Sequence, residues 1–157
     1  MKSETIFRYT NECRGRYDNL YGTIVTITAD FSNPTVWPYQ VICRNWWSEI
    51  GSDTREEETD VHRISKAVFE EIKKTIQNHS KLATCREIID NEVMDSNTET
   101  FYFHCDTFTR SMSGLSILGS AVDDLDKPFY QRSDNYTIYA AHQDIKAILE
   151  ANNIDVL

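Results

Sequence analysis

Chemistry-bearing side chains crowd one short segment of the sequence, residues 101–119. Within ten residues it contains His104, Cys105, Asp106, Arg110, Ser111 and Ser113. Alternation of apolar and polar residues over 100–106 predicts a strand in which His104 and Asp106 share one face. Such side chains can form an oriented acid–base pair, so a small hydrolase is one hypothesis. It is the weakest, because no nucleophile, oxyanion hole or metal set can be assembled from nearby motifs.

Arg110 is the only lysine or arginine between residues 87 and 126, a stretch rich in aspartate and glutamate. Beside Ser111 and Ser113, its guanidinium could hold a phosphate or carboxylate, because forked N–H donors and hydroxyls match such oxygens. Alternatively, Arg110 pairs with neighbouring acids on a strand surface. The candidate ligand-binding residues are therefore Arg110, Ser111 and Ser113. The sequence also fits an Arg110 that only pairs with neighbouring acids.

A second cluster, Arg44, Trp46 and Trp47, lies at the end of a predicted strand. Adjacent tryptophans on a strand point to opposite faces, so both cannot enter one core. An exposed tryptophan beside an arginine is typical of an interface hot spot, and it can also stack on a nucleotide ring. The alternative is that the two rings, together with Trp37, close the end of the sheet.

The histidines and cysteines predict no metal site. The four histidines show no HxxxH spacing, and the four cysteines contain no CxxC pair. Zinc sites depend on such closely spaced ligands. We therefore expect no metal and no cofactor. His142 falls on the apolar stripe of the last predicted helix, where a core position is expected.

The first part of the chain predicts three strands. Residues 4–11, 22–29 and 39–44 alternate in polarity or are rich in β-branched side chains. Residues 11–19 and 30–34 carry the glycine, asparagine, aspartate and proline that favour loops and turns. The three strands are expected to form an antiparallel meander.

Apolar residues at helical spacing predict two helices. The first follows the acidic segment 51–60, takes Thr59 or Asp60 as its N-cap, and has the stripe Val61, Ile64, Val68, Ile72 and Ile76. The second is capped by Ser133 or Asp134 and has the stripe Ile138, His142, Ile145 and Leu149.

Between the helices, residues 81–96 fit either a helix or a strand. Residues 107–113 predict either a hairpin partner for the strand over 100–106 or an extension of that strand. Residues 120–134 predict a loop. These elements predict a single α+β domain over residues 1–157. Its expected form is a two-layer sandwich with a mostly antiparallel sheet of about five strands and two main helices on one face.

The charge of the chain narrows the class of partner. A net charge of −9 disfavours direct binding to nucleic acid, which needs clustered lysine and arginine.

No apolar run is long enough to span a bilayer, so no membrane partner is expected. The start of the sequence lacks the apolar region of a secretory signal, which predicts a cytoplasmic protein with free thiols.

Acidity, small size and the lack of a catalytic motif predict a binding or inhibitory protein that masks a protein partner, possibly a basic one. Immunity proteins and phage anti-defence inhibitors act in this way. The acidic segments 53–60 and 87–99 would steer the partner, and Trp46 or Trp47 would anchor it. The alternatives are a binder that sequesters or senses a nucleotide-like anion, and the hydrolase using His104 and Asp106.

Overall fold

The computed structural model describes residues 3–14, 20–49, 54–91, 97–123 and 134–157. Its strands are β1 (Ser3–Arg14), β2 (Leu20–Asp30), β3 (Tyr39–Ser48), β4 (Glu56–Arg63), β5 (Ile88–Ile89), β6 (Thr98–His104) and β7 (Thr109–Leu115). Its helices are α1 (Lys66–Asn78), a 3-10 helix over Ser80–Thr84, α2 (Ile117–Asp123) and α3 (Asp134–Ala151).

The strands form one sheet in the order β4-β3-β2-β1-β6-β7-β5. Every neighbouring pair is antiparallel except β5 with β7. The predicted α+β class with a mostly antiparallel sheet is confirmed, and so are the meander of β1 to β3 and the hairpin of β6 and β7. The predicted number of strands was wrong, because the sheet of the described residues has seven strands and not five.

Strand β4 corrects the expected start of the first helix. Residues 56–63 pair with β3 along their whole length, and Val61 is 53% exposed on this edge strand. Acidic residues have poor intrinsic strand propensity, so the ladder to β3 stabilises β4. Helix α1 starts later, where the Ser65 hydroxyl accepts a hydrogen bond of 3.1 Å from the Val68 N–H. Thr59 and Asp60 are therefore not its caps.

The helices pack on one face of the sheet, here called the core face. Phe69 of α1 contacts Tyr39 of β3, with 5.3 Å between ring centroids. His142 of α3 lies 5.4 Å from the Tyr9 ring of β1 in an edge-on arrangement. Tyr9 pairs in register with Val25 of β2, and Val25 pairs with Cys43 of β3. Alternation along β3 places Tyr39 on the same side as Cys43, so both contacts fall on one face. The opposite side of the strands is called the open face.

The segments between the main elements differ in part from expectation. Residues 81–96 contain the end of the 3-10 helix and the two-residue strand β5, while 92–96 lie outside the described residues. The predicted loop over 120–134 was wrong for residues 120–123, which belong to helix α2, and for Asp134, which is the first residue of α3. Residues 124–133, with the predicted Ser133 cap, lie outside the described residues. Among the helices that are described, none is long and apolar enough to cross a membrane.

Candidate functional site

Two aromatic side chains, Tyr21 of β2 and Trp47 of β3, are exposed side by side on adjacent strands of the sheet. Trp47 of β3 pairs in register with Tyr21 of β2 on one side and with Glu56 of β4 on the other. Alternation along β3 places Trp47 on the same face as the buried Val41 and Cys43. Trp47 is nevertheless 39% exposed and Tyr21 is 50% exposed.

Carboxylates on β4 border these two rings. Glu56, Glu58 and Asp60 alternate along the strand and so share the face of Trp47. All three are exposed, and none forms an ion pair with another residue that the structure describes. Burial first, and then the negative charge of Asp60, raise the pKa of the Cys43 thiol. We call this surface of Tyr21, Trp47, Glu56, Glu58 and Asp60 the aromatic–acidic edge.

Trp46 lies on the open face and packs against other residues of the chain. Its ring rests against Gly22, where a β-carbon would overlap the indole. The Arg55 guanidinium lies 4.4 Å from the centroid of the Trp46 ring. The structure thus places the two adjacent tryptophans on opposite faces, as strand geometry requires, and leaves Trp47 the more available of the two.

Arg44 is also engaged. Its Nη2 lies 3.2 Å from Glu57 Oε2, and Arg55 contacts the other oxygen of the same carboxylate at 2.9 Å. Trp37 lies before the opposite end of β3, where its indole N–H donates to the Ile64 carbonyl at 2.8 Å. Trp37 therefore does not close the end of the sheet that carries Trp46 and Trp47.

Arg110 and its two serines do not converge. Arg110 donates from Nε to the Cys85 carbonyl at 2.9 Å, donates from Nη2 to the same oxygen, and lies 3.4 Å from Glu87. Ser111 and Ser113 occupy the other face of β7 by alternation, and Ser113 Oγ is 3.3 Å from Thr100 Oγ1. The guanidinium anchors the segment after the 3-10 helix instead of joining the hydroxyls in one anion site.

The expected pair of His104 and Asp106 is not formed. Strand β6 ends at His104, whose Nδ1 contacts Thr109 Oγ1 at 2.6 Å. Asp106 lies beyond the strand and contacts Lys73 Nζ at 3.0 Å. The Lys73 ammonium also bonds Glu4 at 2.8 Å, and this bond is the main reason that its pKa is raised. An ion-pair network thus occupies the place of the proposed acid–base pair.

A buried polar cluster lies on the core face, and the sequence pattern did not indicate it. The Tyr9 hydroxyl donates to Glu99 Oε2 at 2.6 Å, and the Leu118 N–H donates to Oε1 at 3.1 Å. Glu99 is only 4% exposed. Burial first, and then the hydrogen bond to Glu99, raise the pKa of Tyr9 above its usual range. A surface cavity of about 430 Å³, open to solvent on one side, adjoins this cluster.

No family model matches the chain, and no curated protein matches it at significant similarity.

Proposed function

We propose that this chain is a binding protein that masks a basic protein partner at the aromatic–acidic edge. The observation that carries the proposal is the pairing of Trp47 with Tyr21 and Glu56 in adjacent strands, with both rings exposed. Tryptophan and tyrosine supply large contact area at interfaces and are enriched among residues that dominate binding energy. A rigid sheet holds both rings, so little entropy is lost when they are covered.

Charge supports a basic partner. Glu56, Glu58 and Asp60 leave their carboxylates without an ion pair among the described residues, and the whole chain carries −9. Complementary charge accelerates association and disfavours acidic partners. Strand β4 is also an edge strand, and its backbone offers the hydrogen bonds that an added strand of a partner would use.

A nucleotide-like anion has less support from the geometry. Arg44 contacts Glu57, and Arg110 contacts the Cys85 carbonyl and Glu87. An anion at either arginine would have to displace these acceptors. Ser111 and Ser113 lie away from the Arg110 guanidinium, so the three side chains do not surround one phosphate-sized space.

Trp47→Ala is expected to weaken binding of a partner by about 2 kcal/mol or more, which is roughly 30-fold in Kd. The partner is captured from a lysate on the immobilised chain, purified, and measured by calorimetry against the wild type and the variant. Trp37→Ala is the matched control, because Trp37 is an exposed tryptophan before the opposite end of β3. A captured protein that binds Trp47→Ala and Tyr21→Ala as tightly as the wild type would contradict the proposed surface.

Neutralising the carboxylates of β4 is expected to slow association. The triple variant Glu56→Gln, Glu58→Gln, Asp60→Asn should lower the association rate about tenfold at low salt and flatten its salt dependence. The control Glu70→Gln, Glu71→Gln, Asp155→Asn removes the same charge from exposed positions outside the sheet. Equal rates for the two triple variants, measured by stopped flow, would show that only net charge matters and would refute steering by the edge.

A further inference from the structure

The cavity beside Glu99 is lined by hydrogen-bond acceptors that outnumber the donors offered to them by the described residues. Its walls include Tyr9, Asn11, Asn97, Glu99, Ser116 and Gly119. An ionised carboxylate has about four acceptor positions, and Glu99 receives one hydrogen bond at each oxygen. The Asn11 Oδ1 atom is buried and has no hydrogen-bond donor among the described residues. Two neighbouring groups therefore retain capacity to accept hydrogen bonds.

The described lining residues bring no positive charge to this carboxylate. They include no lysine, arginine or histidine. Burying a carboxylate without a cation, or an amide oxygen without a donor, costs free energy. A ligand that supplies both a cation and N–H donors would recover that cost, whereas a phosphate would be repelled by Glu99.

The backbone at the cavity is strained. Ser116 has a φ of 47°, in the left-handed region that residues other than glycine seldom adopt. The conformation is held by a hydrogen bond of 2.9 Å from the Ser116 N–H to the Asn97 carbonyl. Strained residues of this kind cluster at ligand sites, where the surrounding structure fixes them. Both residues of this hydrogen bond line the cavity.

We propose that the cavity binds a planar organic cation, a guanidinium or amidinium group, between Glu99 and Asn11. The forked N–H donors of such a group match a carboxylate in a way that a compact ammonium does not. A remaining N–H would satisfy the Asn11 oxygen. The group can belong to a free small molecule or to an arginine side chain of a protein partner. This site is separate from the aromatic–acidic edge and does not depend on the function proposed for it.

The test uses the Leu118 amide as a reporter, because its N–H bonds Glu99 directly. The ¹⁵N-labelled chain is titrated with benzamidinium chloride, and with sodium chloride and methylammonium chloride at matched ionic strength. We expect a saturable shift of the Leu118 resonance with a midpoint near or below about 1 mM, ordinary for a ligand of so few atoms. No saturable shift up to tenfold higher concentration, or an equal response to methylammonium, would overturn the proposal.

Two variants separate binding from folding. Glu99→Gln keeps the shape and removes the charge: its amide oxygen can accept from the Leu118 N–H, and its NH2 can donate to the Tyr9 oxygen. It should weaken benzamidinium at least tenfold. Asn11→Leu removes a buried acceptor to which no described residue donates, so it should fold normally while weakening the cation severalfold. Glu12→Gln, on the other face of β1, is the control that should bind as the wild type does. Unchanged affinity in both Glu99→Gln and Asn11→Leu would refute the site.

A third arm identifies the source of the cation. A blocked pentapeptide with a central arginine is titrated alongside free methylguanidinium. Peptide binding at least as tight as that of methylguanidinium supports an arginine of a protein partner, and binding of the free cations alone supports a small molecule. Failure of the peptide and of every free cation rejects the proposal.

Discussion

Between pH 7.5 and pH 4, His142 is expected to lower the free energy of unfolding by about 3 kcal/mol, and replacing it with leucine should abolish this decrease. His142 is 3% exposed, and neither ring nitrogen has a hydrogen-bond partner among the described residues. Its ring packs edge-on against Tyr9 and Phe101. Burial, followed by the positive charge of Lys146, lowers the pKa of His142 to about 4.

The direction follows from proton binding. In the unfolded chain a histidine has a pKa of about 6.5, so between that value and about 4 the unfolded state takes up a proton that the folded state does not. The free energy of unfolding therefore falls as the pH falls through this window, and the contribution of neutral His142 is complete only above it. Leucine does not titrate, so the variant should lack this part of the pH dependence.

Urea unfolding of the wild type and of His142→Leu from pH 7.5 to pH 4 measures the difference. At pH 7.5 the variant should be as stable as the wild type or more stable, because it removes two buried nitrogen atoms that have no hydrogen-bond partner in the described part of the chain. His62→Gln is the matched control, since His62 is half-buried on the edge strand β4. Parallel stability curves for the wild type and His142→Leu would show that the buried ring is not the acid-sensitive element.

Tyr9→Phe is expected to destabilise the chain by about 2–3 kcal/mol at neutral pH. The substitution keeps the ring that packs on Phe101 and His142 but removes the hydroxyl that donates to Glu99 at 2.6 Å. One oxygen of a buried carboxylate then loses its donor, and hydrogen bonds to charged groups are worth more than neutral ones. The free energy of unfolding in urea gives the magnitude.

Tyr102→Phe is the control for this measurement, because Tyr102 is a half-buried tyrosine on the open face of β6. Its loss of a hydroxyl should change stability by less than about 0.5 kcal/mol. The double variant Tyr9→Phe, Glu99→Leu should show a coupling energy of at least about 1 kcal/mol, because the two side chains are in direct contact and leucine removes both carboxylate oxygens. A Tyr9→Phe variant as stable as the wild type would mean that Glu99 does not depend on this bond.

The order of apolar and polar residues within a segment was sufficient to predict the strands and helices whose apolar residues recur at strand or helix spacing. The β-branched run in residues 22–29 lies within β2, and Phe101 and Phe103 of β6 are fully buried as their alternation predicted. The stripe of α3 is buried from Ile138 to Leu149. Each of these segments carries its preference in its own side chains, so the prediction needed no knowledge of neighbours.

Strand β4 shows where local pattern was not sufficient. Residues 56–60 are four acids and a threonine, a composition that indicates a solvated loop. They form a strand because β3 offers them a complete ladder at the edge of the sheet. The backbone hydrogen bonds to a neighbour outweigh intrinsic preference there, and no window of sequence contains that neighbour.

The features of the candidate sites also differ in whether local sequence or contacts between distant segments determine them. Period-two geometry alone determined that Trp46 and Trp47 point to opposite faces, but the end of the core beneath the long strands decided that Trp47 is exposed beside Tyr21. The contact of Tyr9 with Glu99 joins residues 90 positions apart, across β1 and β6. Side-chain spacing within one element is set by backbone geometry and can be read along the chain, whereas strand order and the ends of the core depend on contacts between distant segments.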